Sequence, residues 1–265
     1  MKRSAEHPLR RGLAVQSRII TALVVRDMMM RYGRANIGFL WVVLEPMILT
    51  VGVMAMWSLI KSPYEHGLQI VTIVLTGYMP LTLYRHITNL GPFALRRNVT
   101  LLYHRHISFI DVIVSRAVLE FAGTTTALVV VYITLALTGV VSMIEDIGFV
   151  VLAWLLMASL SFGLACVFAV ATEYSETTER FIQPFQYLML PISGTFFMVE
   201  WLPKRAQDLV WYNPTVHCFE MFRAGFFGQS VITHFTWWYP LLWAVILTTI
   251  GISMLEGVRD RIHGG

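Results

Sequence analysis

Lysine is nearly missing from this sequence of 265 residues: only Lys2, Lys61 and Lys204 occur, and none follows a glycine. A phosphate-binding loop of the GxxxxGK type is therefore excluded, and the chain is expected to hydrolyse no ATP itself. Charge is scarce too. Charged residues make up 14% and hydrophobic residues 56%, with a mean hydropathy of +0.64, where a soluble domain carries about 25% charged residues. So few charges cannot cover a water-facing surface, which rules out a soluble enzyme, a secreted disulfide scaffold and a disordered tail. The two cysteines, Cys166 and Cys218, lie far apart and make neither a disulfide framework nor a metal spacing. His104 and His106 have no acid or cysteine near enough to complete a metal site. No metal and no cofactor is expected on this chain. No Ser-His-Asp order or HExxH helix points to hydrolysis in the membrane. An intramembrane glycan-modifying enzyme stays open only because His86, His217 and His234 could meet in space.

What the sequence has in quantity is long apolar runs. About 30 Å of hydrocarbon needs roughly 20 residues, and six stretches qualify: 38–60, 68–89, 112–138, 147–171, 181–199 and 237–257. Pro80 interrupts the second, and Pro184 and Pro191 interrupt the fifth. Proline is tolerated in a membrane helix whose neighbours satisfy the freed carbonyl, so both are expected to be kinked spans. The reading is an all-α membrane protein with six transmembrane helices. Residues 1–36 form a leader, 37–257 one membrane domain and 258–265 a tail.

Arginine sets the orientation. The leader carries Lys2, Arg3, Arg10, Arg11, Arg18, Arg26, Arg31 and Arg34, and the 85–116 connection five more basic residues, whereas the opposite connections hold Lys61, Lys204, Arg205 and Arg223. By the positive-inside rule both termini are cytoplasmic, and the net charge of +4 needs no nucleic acid to explain it. The leader lacks the short apolar core and small-residue cleavage site of a signal peptide. Its 13–33 stretch reads as a helix in the cytoplasmic interface, with arginines toward lipid phosphates; a basic anchor that only fixes topology is the alternative.

Three segments carry the chemistry. Glu45-Pro46 lies inside the first span, where a carboxylate faces a cavity or partner, or else makes a structural bond at the proline. Arg116 and Glu120 are four apart and can pair on one helix face. The 91–110 connection is too hydrophobic for a solvated linker and too basic for a span. Leu95, Val99 and Leu102 at helical spacing suit an amphipathic helix docked in a groove of a soluble partner, or one lying on lipid. Residues 196–243 hold fourteen aromatics. Part of these is an interfacial belt, and 200–236 reads as two short helices dipping into the outer leaflet.

These residues bear a resemblance. Ala22-Leu23, Arg26-Asp27, Arg31-Tyr32-Gly33-Arg34, Gly38-Phe39-Leu40-Trp41 and Leu44-Glu45-Pro46 are similar to the opening of ABC-2 type polysaccharide export permeases, most of all the KpsM branch that exports capsular polysaccharide. Asn98 with Leu101-Leu102-Tyr103, Ile110-Asp111, Arg116-Ala117 and Leu119-Glu120 resemble the same branch. So do Trp211, Asn213-Pro214, Val216-His217, Glu220 and Arg223. The resemblance implies a homodimer with two KpsT-like ABC ATPase subunits that hold ATP and Mg. It also implies a coupling helix within 91–110 (Leu95, Asn98, Leu101, Leu102, Tyr103), a periplasmic co-polymerase and outer-membrane export proteins. The implied location is the bacterial inner membrane and the implied cargo a lipid-linked acidic polysaccharide. O-antigen or teichoic acid export is the neighbouring possibility. An acidic linker calls for cations at the cytoplasmic mouth, so Arg31, Arg34, Arg85, His86, Arg96 and Arg97, with Trp41 and Glu45, form the expected substrate set. Each arginine has anionic lipid as a rival ligand.

Overall fold

The computed structural model describes residues 8–32, 37–92 and 108–263, with side chains at the outer ends of these ranges left aside. Helix α1 spans Pro8–Tyr32 and α2 spans Ile37–Ile60. A two-residue hairpin pairs β1 (Tyr64–Glu65) with β2 (Leu68–Gln69) and leads into α3 (Ile70–Thr88). Then come α4 (Phe109–Leu137), α5 (Ile147–Tyr174), α6 (Glu176–Met189), α7 (Lys204–Val210), α8 (Pro214–Phe227) and α9 (Trp238–His263).

Four of these helices, over Leu40–Ile60, Phe109–Leu137, Ile147–Tyr174 and Trp238–Leu255, are long and apolar enough to cross a membrane. They match four of the six expected spans to within a few residues. The second expected span is α3, whose nineteen residues reach about 28 Å at 1.5 Å per residue. It is less apolar because it faces protein: fifteen of its residues are buried. Thr76, Thr82 and Thr88 return their hydroxyls to the carbonyls of Thr72, Tyr78 and Tyr84, so their polarity is satisfied inside the helix.

The fifth expectation needs correction. Residues 181–199 are not one kinked helix. Pro184 sits within α6, but α6 ends at Met189 and a 3-10 turn follows at Leu190–Ile192. Proline at 191 supplies no N–H to continue the helix, and Gly194 then turns the chain at φ +93°, a conformation glycine adopts at no steric cost.

Strong caps fix the ends near the charged residues. Ser108 and Asp111 form a reciprocal capping box at the start of α4, and Asp146 accepts from Gly148 and Phe149 to open α5. Asp146 also donates its own N–H to Gly225 of α8 at 2.9 Å. Helices α5 and α9 pack closely where Gly251 faces Cys166: a Cβ there would lie 2.5 Å from the Cys166 Cβ. Such contacts between small residues are how apolar helices associate in lipid.

Helix α1 does exist over the expected stretch, but it is bound to protein along one side. Leu23 and Asp27 are buried. Asp27 accepts from Arg26 and, at 3.0 Å, from Arg116 Nε of α4; Gln16 donates to Asp111. Arg116, expected to pair within α4, thus ties two helices together.

Candidate substrate cavity and the buried acid–arginine cluster

Trp41, Glu45 and Leu49 succeed one another at every fourth residue of α2, so they share a face. Opposite that face, α3 presents Tyr78, Thr82, Arg85 and His86. Between them lies a cavity of about 210 Å³ lined by Glu45, Leu49, Tyr78, Leu81, Thr82, Arg85, His86 and Asn89. This is smaller than the roughly 300 Å³ at which pockets enclose a drug-sized ligand, and leaves room for one sugar-sized group.

Three residues of the expected substrate set, Glu45, Arg85 and His86, therefore meet. Trp41 does not line the cavity and is half exposed one turn away. Arg31 closes the last turn of α1, and nothing further is described of its side chain. Arg34, Arg96, Arg97 and the coupling residues Leu95, Asn98, Leu101, Leu102 and Tyr103 lie outside the described residues.

The cavity is mixed in charge, with Glu45 beside Arg85 and His86. His86 Nδ1 donates to Glu120 Oε2 of α4 at 3.0 Å, and the Arg85 guanidinium lies 5.5 Å from the ring of Tyr187. Arg85 offers a planar fork for a carboxylate; Glu45 and Asn89 offer acceptors for hydroxyls. A polyhydroxylated acid finds both kinds of partner here. Glu120, Tyr78, Thr82 and Asn89 were not foreseen. Tyr78, Thr82 and Asn89 follow from Glu45 and Arg85 only once α2 and α3 are known to be adjacent, and Glu120 only once α4 is placed beside α3.

The third resembling segment folds into a second cluster, on α8. Every residue from Thr215 to Phe226 is buried. Asn213 caps the helix by accepting from Thr215 and donates Nδ2 to Ile192 at 3.1 Å. Arg223 donates to the carbonyls of Gly194 (2.8 Å), Thr195 (2.8 Å) and Phe197 (2.5 Å). Glu220 accepts from the N–H groups of Val199 (3.1 Å) and His234 (3.0 Å), and stands 3.9 Å from Arg223. Burial raises the Glu220 carboxyl above its ordinary range, against the pull of Arg223 and these donors. Gly77 of α3 is what lets the 193–197 loop approach: a Cβ there would meet the Thr195 carbonyl oxygen at 2.3 Å.

The three histidines do not assemble a shared site. His86 serves Glu120; His217 accepts from Thr236 N–H and donates to the Trp211 carbonyl; His234 Nε2 donates to Glu200 at 2.8 Å. Among the described residues no three His, Cys, Asp or Glu side chains are grouped to hold a metal ion.

Each of the three resembling segments thus makes long-range contacts: Asp27 with Arg116, Glu45 with the α3 face, Glu220 and Arg223 with the two loops around α8. The profile of the ABC-2 type transporter family matches residues 18–227. The chain belongs to the ABC-2 type transporter family. It is 39% identical over 244 residues to the capsule polysaccharide export inner-membrane protein CtrC of Neisseria meningitidis serogroup A, with 92% of each chain covered. To the capsule polysaccharide export inner-membrane protein BexB of Haemophilus influenzae it is 33% identical over 254 residues, 96% of each. To the polysialic acid transport protein KpsM of Escherichia coli it is 26% identical over 253 residues, covering 92% of this chain and 95% of that one. The match begins within α1 and runs to the last residue of α8, so both clusters lie inside the ABC-2 region.

Proposed function

We propose that this ABC-2 chain is the permease subunit of an ATP-driven exporter that moves lipid-linked capsular polysaccharide outward across the inner membrane. The observation that carries the reading is the near full-length similarity to capsule export proteins, joined to a cavity whose lining suits an acidic, hydroxylated ligand. Two copies of the chain would enclose the path, each with a separate ATPase subunit, since this chain has no lysine in a phosphate-binding loop. ATP and Mg belong to that partner.

The finer reading keeps both termini and the 91–110 coupling helix on the cytoplasmic side. Its six crossings are α2, α3, α4, α5, α9 and the α6 segment continued through 190–199. Helices α7 and α8 then lie at the outer side, toward a periplasmic co-polymerase and outer-membrane export proteins. An acidic linker is captured at the mouth by Arg85 with Arg31, Arg34, Arg96 and Arg97. ATP-driven closure of the partner moves the coupling helices and opens the path, and the glycan follows.

Complementation tests the function. In a capsule-forming strain whose own permease gene is deleted, this chain with its ATPase should restore surface polysaccharide. Restored O-antigen without capsule would overturn the substrate class, and ATP hydrolysis by the purified chain alone would overturn the division of labour.

A further inference from the structure

We propose that the chain holds one lipid of the surrounding bilayer in a groove between α3, α5, α6 and α9. An acyl chain fills the groove, and a hydroxyl or N–H of the same lipid donates to Gln186. The groove measures about 520 Å³, within the roughly 300–1,000 Å³ of sites that enclose a small ligand. Leu160 and Leu164 of α5, Met189 of α6 and Leu247 of α9 supply apolar walls.

Gln186 breaks that pattern. It lines the groove and is 4% exposed. Its Nε2 donates to Thr88 Oγ1 at 3.3 Å, and the Thr88 hydroxyl spends its own hydrogen on the Tyr84 carbonyl at 2.7 Å. Thr88 can therefore only accept, which turns the amide nitrogen toward it and the amide oxygen away. That Oε1 has no hydrogen-bond partner, and a buried acceptor left unmet is costly. An occupant that brings one donor relieves it.

Other polar side chains line the groove as well, and Tyr84, Tyr212 and Trp243 add two hydroxyls and an indole N–H to its wall. Ser193 bonds Leu190 and Thr195, and Asn213 bonds Ile192 and Thr215. No charged residue lines the groove, which excludes a free anion, and its leucine and methionine walls select an acyl chain. The source is the bilayer, because α5 and α9 are spans and the exposed Phe185 and Leu209 flank the mouth. Leu81 lines both this groove and the cavity of Glu45, Arg85 and His86, so the lipid backs α3 directly behind the substrate cavity.

The test places the full chain in nanodiscs containing either of two photoreactive phospholipids with a diazirine near the end of one acyl chain. One probe is a phosphatidylglycerol, whose headgroup has hydroxyl donors; the other is a phosphatidylcholine, which has none. Adducts mapped by mass spectrometry should fall on Leu160, Leu164, Met189 or Leu247, more with the first probe. Leu164→Trp and Leu247→Trp each fill the groove and should cut these adducts roughly tenfold, equivalent to about 1.4 kcal/mol of binding. Adducts at Leu59, on the exposed side of α2, should stay constant and report intact insertion. Gln186→Leu should erase the difference between the two probes. Groove adducts no denser than those at Leu59, or unchanged in both tryptophan variants, would overturn the site. Equal labelling by the two probes in the unaltered chain would overturn the Gln186 contact.

Discussion

Replacing Arg223 with methionine should be among the most damaging single changes in the α8 cluster, and the structure gives its size. Arg223 is 1% exposed and serves three backbone carbonyls. A hydrogen bond from a charged group is worth about 1.5–3 kcal/mol, so simple addition would overshoot. The carbonyls keep a second lone pair, and the 194–197 loop can yield toward solvent or lipid headgroups. The better guide is the cost of breaking a buried ion pair by removing one partner, about 3–5 kcal/mol, because Glu220 then loses the pull that offsets its burial. Glu220→Gln leaves Arg223 without its counter-ion but still bonded to three carbonyls, and should cost less, about 1–3 kcal/mol, since the new amide accepts one of the two N–H groups and confronts the other with a donor. The double variant should therefore fall short of the sum by at least about 1 kcal/mol. Arg223→Lys should lie near the methionine variant, because one ammonium cannot span three carbonyls as a planar fork does. Unfolding of the purified chain in mixed micelles, followed by tryptophan fluorescence against the mole fraction of denaturing detergent, measures all four. If Arg223→Met stays within about 0.5 kcal/mol of the unaltered chain, as an ordinary surface change does, the cluster does not anchor the loops.

Arg116→Ala leaves Asp27, which is 2% exposed, with Arg26 as its remaining arginine partner, and should cost about 1.5–3 kcal/mol; the same unfolding assay reads it. Arg85→Ala should lower surface polysaccharide while membrane abundance stays normal, by roughly 10- to 150-fold in capture if a charge-assisted bond of about 1.5–3 kcal/mol is lost; full export at normal abundance would leave lipid anchoring as the role of Arg85. Leu95→Asp or Leu102→Asp should uncouple ATP hydrolysis from export by placing a charge in an apolar groove of the ATPase, and cross-links from 91–110 that reach only lipid would refute the docking.

Uninterrupted apolar length is the property that carried the spans. The expected 38–60 became Ile37–Ile60, and 147–171 became Ile147–Tyr174, because one transfer term dominates over twenty residues and Asp146 supplies a local cap. The 181–199 expectation failed for a different cause. There the hydropathy suffices, but Pro191 and Gly194 end the helix, and the carbonyls so freed are met by Arg223, some thirty residues on. Composition within the segment does not contain that donor. The same holds for Arg116. Its neighbour at four residues offered a plausible partner, and the one it found, Asp27, sits 89 residues away.

The mixed character of the candidate cavity follows from the same limit and bears on the proposed mechanism. Counting arginines along the chain suggests a cationic mouth, since acids and bases separated in sequence look independent. Folding brings Glu45 from α2 and Glu120 from α4 to the two sides of His86 and Arg85 on α3. Glu45 in the lining offsets the Arg85 charge, and Glu120 engages His86, so the cavity holds an anion less strongly than arginines alone would. That suits transport better than a strongly positive site would. A glycan that must move on needs contacts strong enough to select an acid at entry and weak enough to release it. In the proposed function, an Arg85 fork flanked by the Tyr187 ring and accompanied by Glu45 would meet both conditions, because a carboxylate binding Arg85 would do so against the repulsion of one already present.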